Sequence, residues 1–165
     1  MNTARVRVAV AALAAVFTLA EAAIASAASS FEQYRAAPYS GPRHAPVLTG
    51  KFRQFRTMIR EGFSQGHQFA GHYVLFGRGC GTDCGFWTVG DLKTGRLWNF
   101  PLGGEGNLNL QLVSRPNSRL VKAYWETTTD PATAACDTED LVWTGVSFTQ
   151  GKMRETGGAC PQMAR

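Results

Sequence analysis

The sequence lacks most of the features that identify a membrane protein or an enzyme. It has only three histidines. After Ala28 it has no apolar run near the roughly 20 residues that a transmembrane helix needs. Apolar residues make up 44% of the chain and aromatic residues 11%, which excludes a disordered protein. We therefore expect a folded protein with a sizeable core and no transmembrane span.

The N-terminus has the pattern of a signal peptide. Arg5 and Arg7 precede the apolar run 8–20, and the small residues 25–27 form a typical cleavage site. The sequence predicts a signal peptide over residues 1–27 and export to the periplasm or the outside of the cell. Residues 28–49, with three prolines and Gly41, predict an extended arm, and residues 50–165 predict a single α+β domain.

Four cysteines follow the predicted cleavage site, and an even number in an exported chain favours disulfides. Three pairings are possible, and we favour Cys80 with Cys84 and Cys136 with Cys160. The alternative is a zinc site formed by Cys80 and Cys84 with His67 and His72. The C-x3-C spacing is looser than usual for zinc, so the sequence predicts disulfides and no metal or other cofactor.

One segment has the periodicity of an amphipathic helix of about three to four turns. Thr49 is a candidate N-cap, and Gly62 or Gly66 is a candidate stop. The apolar residues at helical spacing are Phe52, Phe55, Met58, Ile59 and Phe63.

The rest of the domain predicts strands joined by short turns, which favours antiparallel hairpins. A polar loop is predicted over 127–139. The predicted strands are 72–76, 85–92, 96–100, 108–112, 120–126, 141–148 and 152–154, the last two joined by a turn at 149–151. The fold class is therefore α+β: a mainly antiparallel β-meander sheet, covered by one amphipathic helix and held by disulfides.

Two parts of the sequence resemble each other. Residues 80–97 align with residues 136–153 without a gap, matching in Cys, Trp-Thr and a Gly followed by a basic residue. This match suggests an internal hairpin repeat, although hairpins that contain Trp and Gly also look alike by chance. Two copies are too few to close a propeller, which needs about four blades.

Candidate catalytic residues are sparse. His72 and Asp83 are the candidate acid and base of a small periplasmic hydrolase. A histidine beside a tyrosine at the start of a strand is more typical of packing or hydrogen bonding. Four serines are predicted in ordinary turn or strand contexts: Ser64, Ser114, Ser118 and Ser147. The Gly-rich segments 77–81 and 103–106 precede no predicted helix, so they are interpreted as loops and not as phosphate cradles.

A basic stretch offers a candidate binding surface. Residues 35–60 contain six Arg or Lys and no acid, and Arg53, Arg56 and Arg60 fall on one helix face. This face is either simply solvated or a patch for an anionic envelope component. Nucleic acid is not an expected partner, because the chain is predicted to be exported and its net charge is only +5.

The segment between Cys80 and Cys84 offers a second candidate surface. If these cysteines are bonded, Thr82 and Asp83 lie on a rigid tip that loses little entropy on binding. The alternative is a structural staple at the end of a hairpin.

Several motifs resemble a group of small exported bacterial proteins of unassigned function. They are Phe69-Ala-Gly-His-Tyr73, Gly79-Cys-Gly-Thr-Asp-Cys84, Asp91-Leu-Lys-Thr-Gly95 and Ser114-Arg-Pro-Asn-Ser-Arg-Leu120. More distantly, the chain is similar to the periplasmic inhibitors of vertebrate lysozyme, which present a loop closed by two cysteines to the active-site cleft of the enzyme. That resemblance implies a role for Cys80, Asp83 and Cys84.

The sequence thus favours a non-catalytic, exported binding protein, such as an inhibitor or a cell-envelope factor, with an unknown protein or anionic envelope partner. The alternatives are the hydrolase that uses His72 and a structural accessory subunit of an envelope complex.

Overall fold

The computed structural model describes residues 29–161 except positions 129, 131 and 134. The predicted signal peptide, residues 1–27, lies outside this part of the chain. None of the helices within the described part is long and apolar enough to cross a membrane.

The predicted helix is confirmed. A 3-10 segment, Gly50–Phe55, continues directly into helix α1, Arg56–Gln65, and Gly66 follows as the C-cap. Ile59 and Phe63 are buried, as the apolar spacing predicts. Met58 is 44% exposed, so this residue of the predicted apolar face is not part of the core.

The strands form two antiparallel sheets, each of which follows the order of the chain. Sheet 1 contains β1 (His67–Phe69), β2 (Tyr73–Gly81), β3 (Cys84–Asp91) and β4 (Leu97–Gly103). Sheet 2 contains β5 (Leu108–Ser114), β6 (Leu120–Glu126), β7 (Cys136–Trp143) and β8 (Phe148–Gln150), with β9 (Arg154–Glu155) also paired to β7. The predicted α+β class and antiparallel meander are confirmed, although the strands divide over two sheets.

Sheet 1 lies between the helix and sheet 2, and β2 shows why. Its first four residues, Tyr-Val-Leu-Phe, are all buried. Tyr73 and Leu75 belong to a core shared with sheet 2, whereas Val74 and Phe76 pack with Ile59 and other apolar residues on the helix side. Alternate residues of a strand point to opposite faces, so a strand covered on both faces is apolar at every position.

The segment before the helix, residues 29–49, contacts both sheets. Ser118 Oγ donates to the carbonyls of Phe31 and Tyr34, at 2.8 and 3.1 Å. Further along, the amides of His44 and Val47 donate to carbonyls in the turn after β3. This segment contains one 3-10 turn, Phe31–Tyr34, and otherwise little regular structure.

The strand and turn bounds predicted for the second copy of the repeat were wrong. β7 begins at Cys136, so the predicted polar loop 127–139 ends earlier, and the chain turns at 144–147 instead of 149–151. Trp87 lies in the middle of β3, whereas its aligned partner Trp143 ends β7. The aligned segments therefore follow different paths, because the turn falls at a different place in each.

Candidate functional site

A disulfide closes the tip of the β2–β3 hairpin, which we call the hairpin tip (residues 80–84). Cys80 is bonded to Cys84, and Cys136 to Cys160, as the sequence predicts. The bonded sulfurs leave no thiolate for zinc, so the alternative zinc site with His67 and His72 is wrong.

The backbone of the hairpin tip is fixed by more than its disulfide. Asp83 has φ 57°, a left-handed conformation in which Asp is one of the better-tolerated residues, and Gly81 has φ 148°. The carbonyl of Asp83 accepts a hydrogen bond from the amide of Asn109 at 2.8 Å, which ties the tip to β5. Thr82 is exposed and Asp83 is partly exposed. Both side chains are therefore presented on a pre-ordered turn.

The helix runs antiparallel to β2, and three contacts establish its direction. Phe55 lies against Arg78, near the tip, and Gly62 packs against Phe76, where a Cβ would approach the ring to 2.5 Å. Gly66 packs against Val74, near the start of the strand. The N-terminal part of the helix and the hairpin tip therefore lie at the same end of sheet 1.

This direction brings two predicted sites to one end of the molecule. Arg53 and Arg56 flank Phe55 in the N-terminal part of the helix, and Arg60 follows one turn later. All three arginines are exposed, and in the described part none forms an ion pair. We call the hairpin tip together with Arg53 and Arg56 the tip surface.

The structure does not bring His72 and Asp83 together. The nine residues of β2 separate them, about 30 Å of extended chain. His72 Nε2 instead lies 3.7 Å from Asp91 Oδ1. Asp91 also accepts hydrogen bonds from the amide of Lys93 and the hydroxyl of Thr94, at 2.8 and 2.7 Å. The His72–Asp91 pair thus holds the turn after β3 and does not match the predicted acid–base pair.

The environment of His72 also favours a packing role. Burial lowers its pKa because it disfavours the imidazolium ion, and the Asp91 carboxylate opposes this in part. The ring centroids of His72 and Tyr73 are 4.2 Å apart.

One motif escaped the sequence interpretation. Residues 62–66, Gly-Phe-Ser-Gln-Gly, match the G-x-S-x-G pattern of serine hydrolases. That pattern requires the serine on a sharp turn from a strand to a helix, but Ser64 lies in the last turn of α1. Its hydroxyl donates to the Glu61 carbonyl at 2.8 Å. Ser64 is therefore a helix residue and not the nucleophile of such an elbow.

The Gly-rich segment 77–81 was predicted as a loop, but it is the second half of β2. Arg78 lies within it, and its guanidinium carbon is 4.2 Å from the ring centroid of Phe55 and 4.7 Å from that of Phe86. Sequence reasoning missed this residue. The available signal was an isolated arginine, between two glycines, just before a cysteine.

A buried polar row on β7 was also missed. The residues are Asp137, Thr138, Glu139 and Asp140, each at most 8% exposed. Burial disfavours the ionised form of Glu139 and so raises the pKa of its carboxyl group. Asp140 instead has two cationic partners, Lys122 Nζ at 3.2 Å and Arg154 at 3.5 Å, and it accepts a hydrogen bond from the backbone amide of Ser29 at 3.1 Å. This arrangement fixes the start of the described chain on sheet 2.

We expect Asp140→Ala to lower the free energy of unfolding by about 2–3 kcal/mol. Removing one partner of a buried ion pair costs about 3–5 kcal/mol, and the 35% exposure of Arg154 reduces this. Glu155→Ala is the control, since Glu155 is exposed and should change stability by about 0.5 kcal/mol or less. Urea unfolding measures both, and equal losses for the two variants would contradict the structural role of Asp140.

The comparisons with known proteins give no match from which a function could be inferred. No protein-family model matches the chain, and neither curated proteins nor solved structures include a significant match.

Proposed function

We propose that this chain is an exported, non-catalytic binding protein that presents the tip surface to an anionic component of the cell envelope. One observation carries the proposal: the helix runs antiparallel to β2, so the braced hairpin tip lies at the same end of sheet 1 as Arg53 and Arg56, which form no ion pair within the described residues. The N-terminal pattern of the sequence supports export, and the two disulfides are compatible with it.

Pre-organisation supports a binding role for the tip. The disulfide, the left-handed Asp83 and its bond from Asn109 hold the turn in one conformation before any partner arrives. A loop that is already ordered does not lose that entropy on association. The nearby arginines add long-range attraction for a negative surface, which depends on the salt concentration.

The test is co-sedimentation of the purified mature chain with washed Gram-negative cell envelopes. Binding is expected to weaken as salt rises, and Arg53→Glu/Arg56→Glu should reduce the affinity at least tenfold. The matched control is Arg43→Glu/Lys152→Glu, with the same change in net charge at exposed positions outside the tip surface. This control should bind within about twofold of wild type.

The same assay tests the hairpin tip. Cys80→Ser/Cys84→Ser should weaken binding about tenfold, or 1.4 kcal/mol, because the tip must then be ordered on association. Asp83→Asn keeps a side chain that tolerates positive φ and removes a negative charge from the tip, so binding to an anionic component should stay equal or become tighter. Binding that survives all of these changes, falls equally in the charge control or is absent in wild type would overturn the proposal.

A further inference from the structure

Arg78 differs from the other partly buried basic residues in having no acidic partner. Lys122 and Arg154 pair with Asp140, and the exposed Arg115 pairs with Glu32. Across the described part of the chain, no carboxylate lies within 4 Å of Arg78, and no protein acceptor takes a hydrogen bond from its guanidinium. Its guanidinium instead lies over the rings of Phe55 and Phe86.

These ring contacts determine which part of the Arg78 guanidinium is free to bind a ligand. A guanidinium stacks on an aromatic ring through its face, and its five N–H donors lie along its edge. The rings hold the group in a defined orientation, so less rotamer entropy is lost for each hydrogen bond it forms. A planar, oriented fork of donors matches the oxygens of a carboxylate or a phosphate.

A groove opens beside this arginine. Its volume is about 170 Å³, and its lining includes Phe86, Asn99, Pro101 and Gly103 together with Arg78. Sites for whole drug-sized ligands usually measure about 300–1,000 Å³. This groove is therefore sized for one ring or one side chain of a longer molecule.

The groove has two further features that suit a sugar ring. Phe86 is 40% exposed, so part of its flat apolar surface is open to solvent, and the exposed residue Asn99 lines the same groove. A sugar ring presents C–H groups on its faces and hydroxyls at its rim, which fit an aromatic ring and an amide.

We propose that Arg78 and this groove bind one acidic sugar unit, a carbohydrate ring that carries a carboxylate or a phosphate. The proposal rests on the function proposed above and specifies its ligand. Arg78 pairs with the acidic group, Phe86 stacks on the ring and Asn99 bonds a hydroxyl. Because the helix brings Arg53 and Arg56 to the same end of sheet 1, the rest of an anionic chain extends toward them.

Titration calorimetry on the full mature chain tests the ligand class. The probes are tri-galacturonate, glucose 6-phosphate, neutral galactotriose, inorganic phosphate and a tetra-aspartate peptide. Tri-galacturonate or glucose 6-phosphate should bind at least tenfold more tightly than the last three probes, and which of the two binds better identifies the acidic group. Equal or tighter binding of inorganic phosphate or tetra-aspartate would overturn the proposal.

Variants then locate the site. Arg78→Lys keeps the charge but loses the fork, so acidic-sugar binding should fall at least tenfold. Arg96→Lys is the matched control, since Arg96 also stacks on an aromatic ring, Trp98, but does not line the groove. Asn99→Asp places a carboxylate in the groove at an exposed position, so it should reduce acidic-sugar binding tenfold while the chain stays folded.

The outcomes separate this inference from the function on which it rests. If envelopes bind through Arg53 and Arg56 but neither acidic sugar binds, the assignment of the groove is wrong and the proposed function stands. If Arg78→Lys and Arg96→Lys weaken acidic-sugar binding equally, the site is not at Arg78. If envelopes do not bind the wild-type protein at all, the proposed function is wrong, whatever the sugar titrations show.

Discussion

Replacing Trp143 with alanine is expected to lower the free energy of unfolding by about 3–5 kcal/mol, the range for deleting a large buried aromatic side chain. Trp143 is 1% exposed and ends the central strand of sheet 2. It contacts aromatic rings from both sheets, with centroid distances of 5.2 Å to Tyr73, 5.4 Å to Trp98 and 4.8 Å to Phe148. Its removal would leave a cavity where the sheets meet.

Trp143→Phe is the matched control. The buried indole Nε1 faces the Tyr73 hydroxyl, but within the described residues it has no well-aligned acceptor, so phenylalanine loses no strong hydrogen bond. Phenylalanine keeps a ring in the cluster, and we expect a loss below about 2 kcal/mol. Urea unfolding at unchanged m-value measures both variants. A loss below about 1.5 kcal/mol for the alanine variant would mean that Trp143 does not support the sheet–sheet core.

Removing the Cys136–Cys160 disulfide should cost about 3.5 kcal/mol, the chain-entropy value for a closed loop of this length. Both cysteines are buried, and the bond fixes the segment after β9 to the first residue of β7. Cys136→Ser/Cys160→Ser would free that segment and place two hydroxyls in apolar surroundings.

The Cys80–Cys84 pair provides the control for this disulfide. It closes a much shorter loop, for which the same relation gives about 2 kcal/mol, and it lies on the hairpin tip. When both double variants are unfolded in urea, Cys136→Ser/Cys160→Ser should therefore lose more free energy of unfolding than Cys80→Ser/Cys84→Ser. The reverse order would show that strain or residual structure in the unfolded chain outweighs loop closure.

The sequence was informative wherever local pattern and tertiary environment agree. Helix α1 has apolar residues at helical spacing, and Gly66 ends it. Strand β6 matches its predicted bounds because its inward residues, such as Val121 and Ala123, alternate with the polar Lys122. The pairing of nearby cysteines also followed from spacing and expected compartment.

Prediction failed where tertiary contacts outweigh local preference. Acidic residues are depleted in strands, so Asp137 and Glu139 suggested a loop. Asp140 is accommodated because Lys122 and Arg154 neutralise it, whereas burial disfavours the ionised form of Glu139 and so raises its pKa. No local signal indicates those partners, which come from β6 and β9.

The candidate site was predicted only in pieces. Thr82, Asp83 and the helix arginines were identified, but their shared position depends on the direction in which the helix crosses β2. Arg78 was missed because its setting is assembled from Phe55 on the helix and Phe86 on β3, which are far apart in sequence. Spacing alone cannot predict such a contact.

The division into two consecutive meanders has a consequence for synthesis. Among the described residues, strands β1 to β4 pair only with each other, so they can associate before β5 to β8 have left the ribosome. Until then the inward side of this first half, including Leu75 and Val89, has no cover and is open to aggregation. Docking of the second meander is therefore the event that hides this surface, and any delay in it lengthens the time for which the chain depends on chaperones.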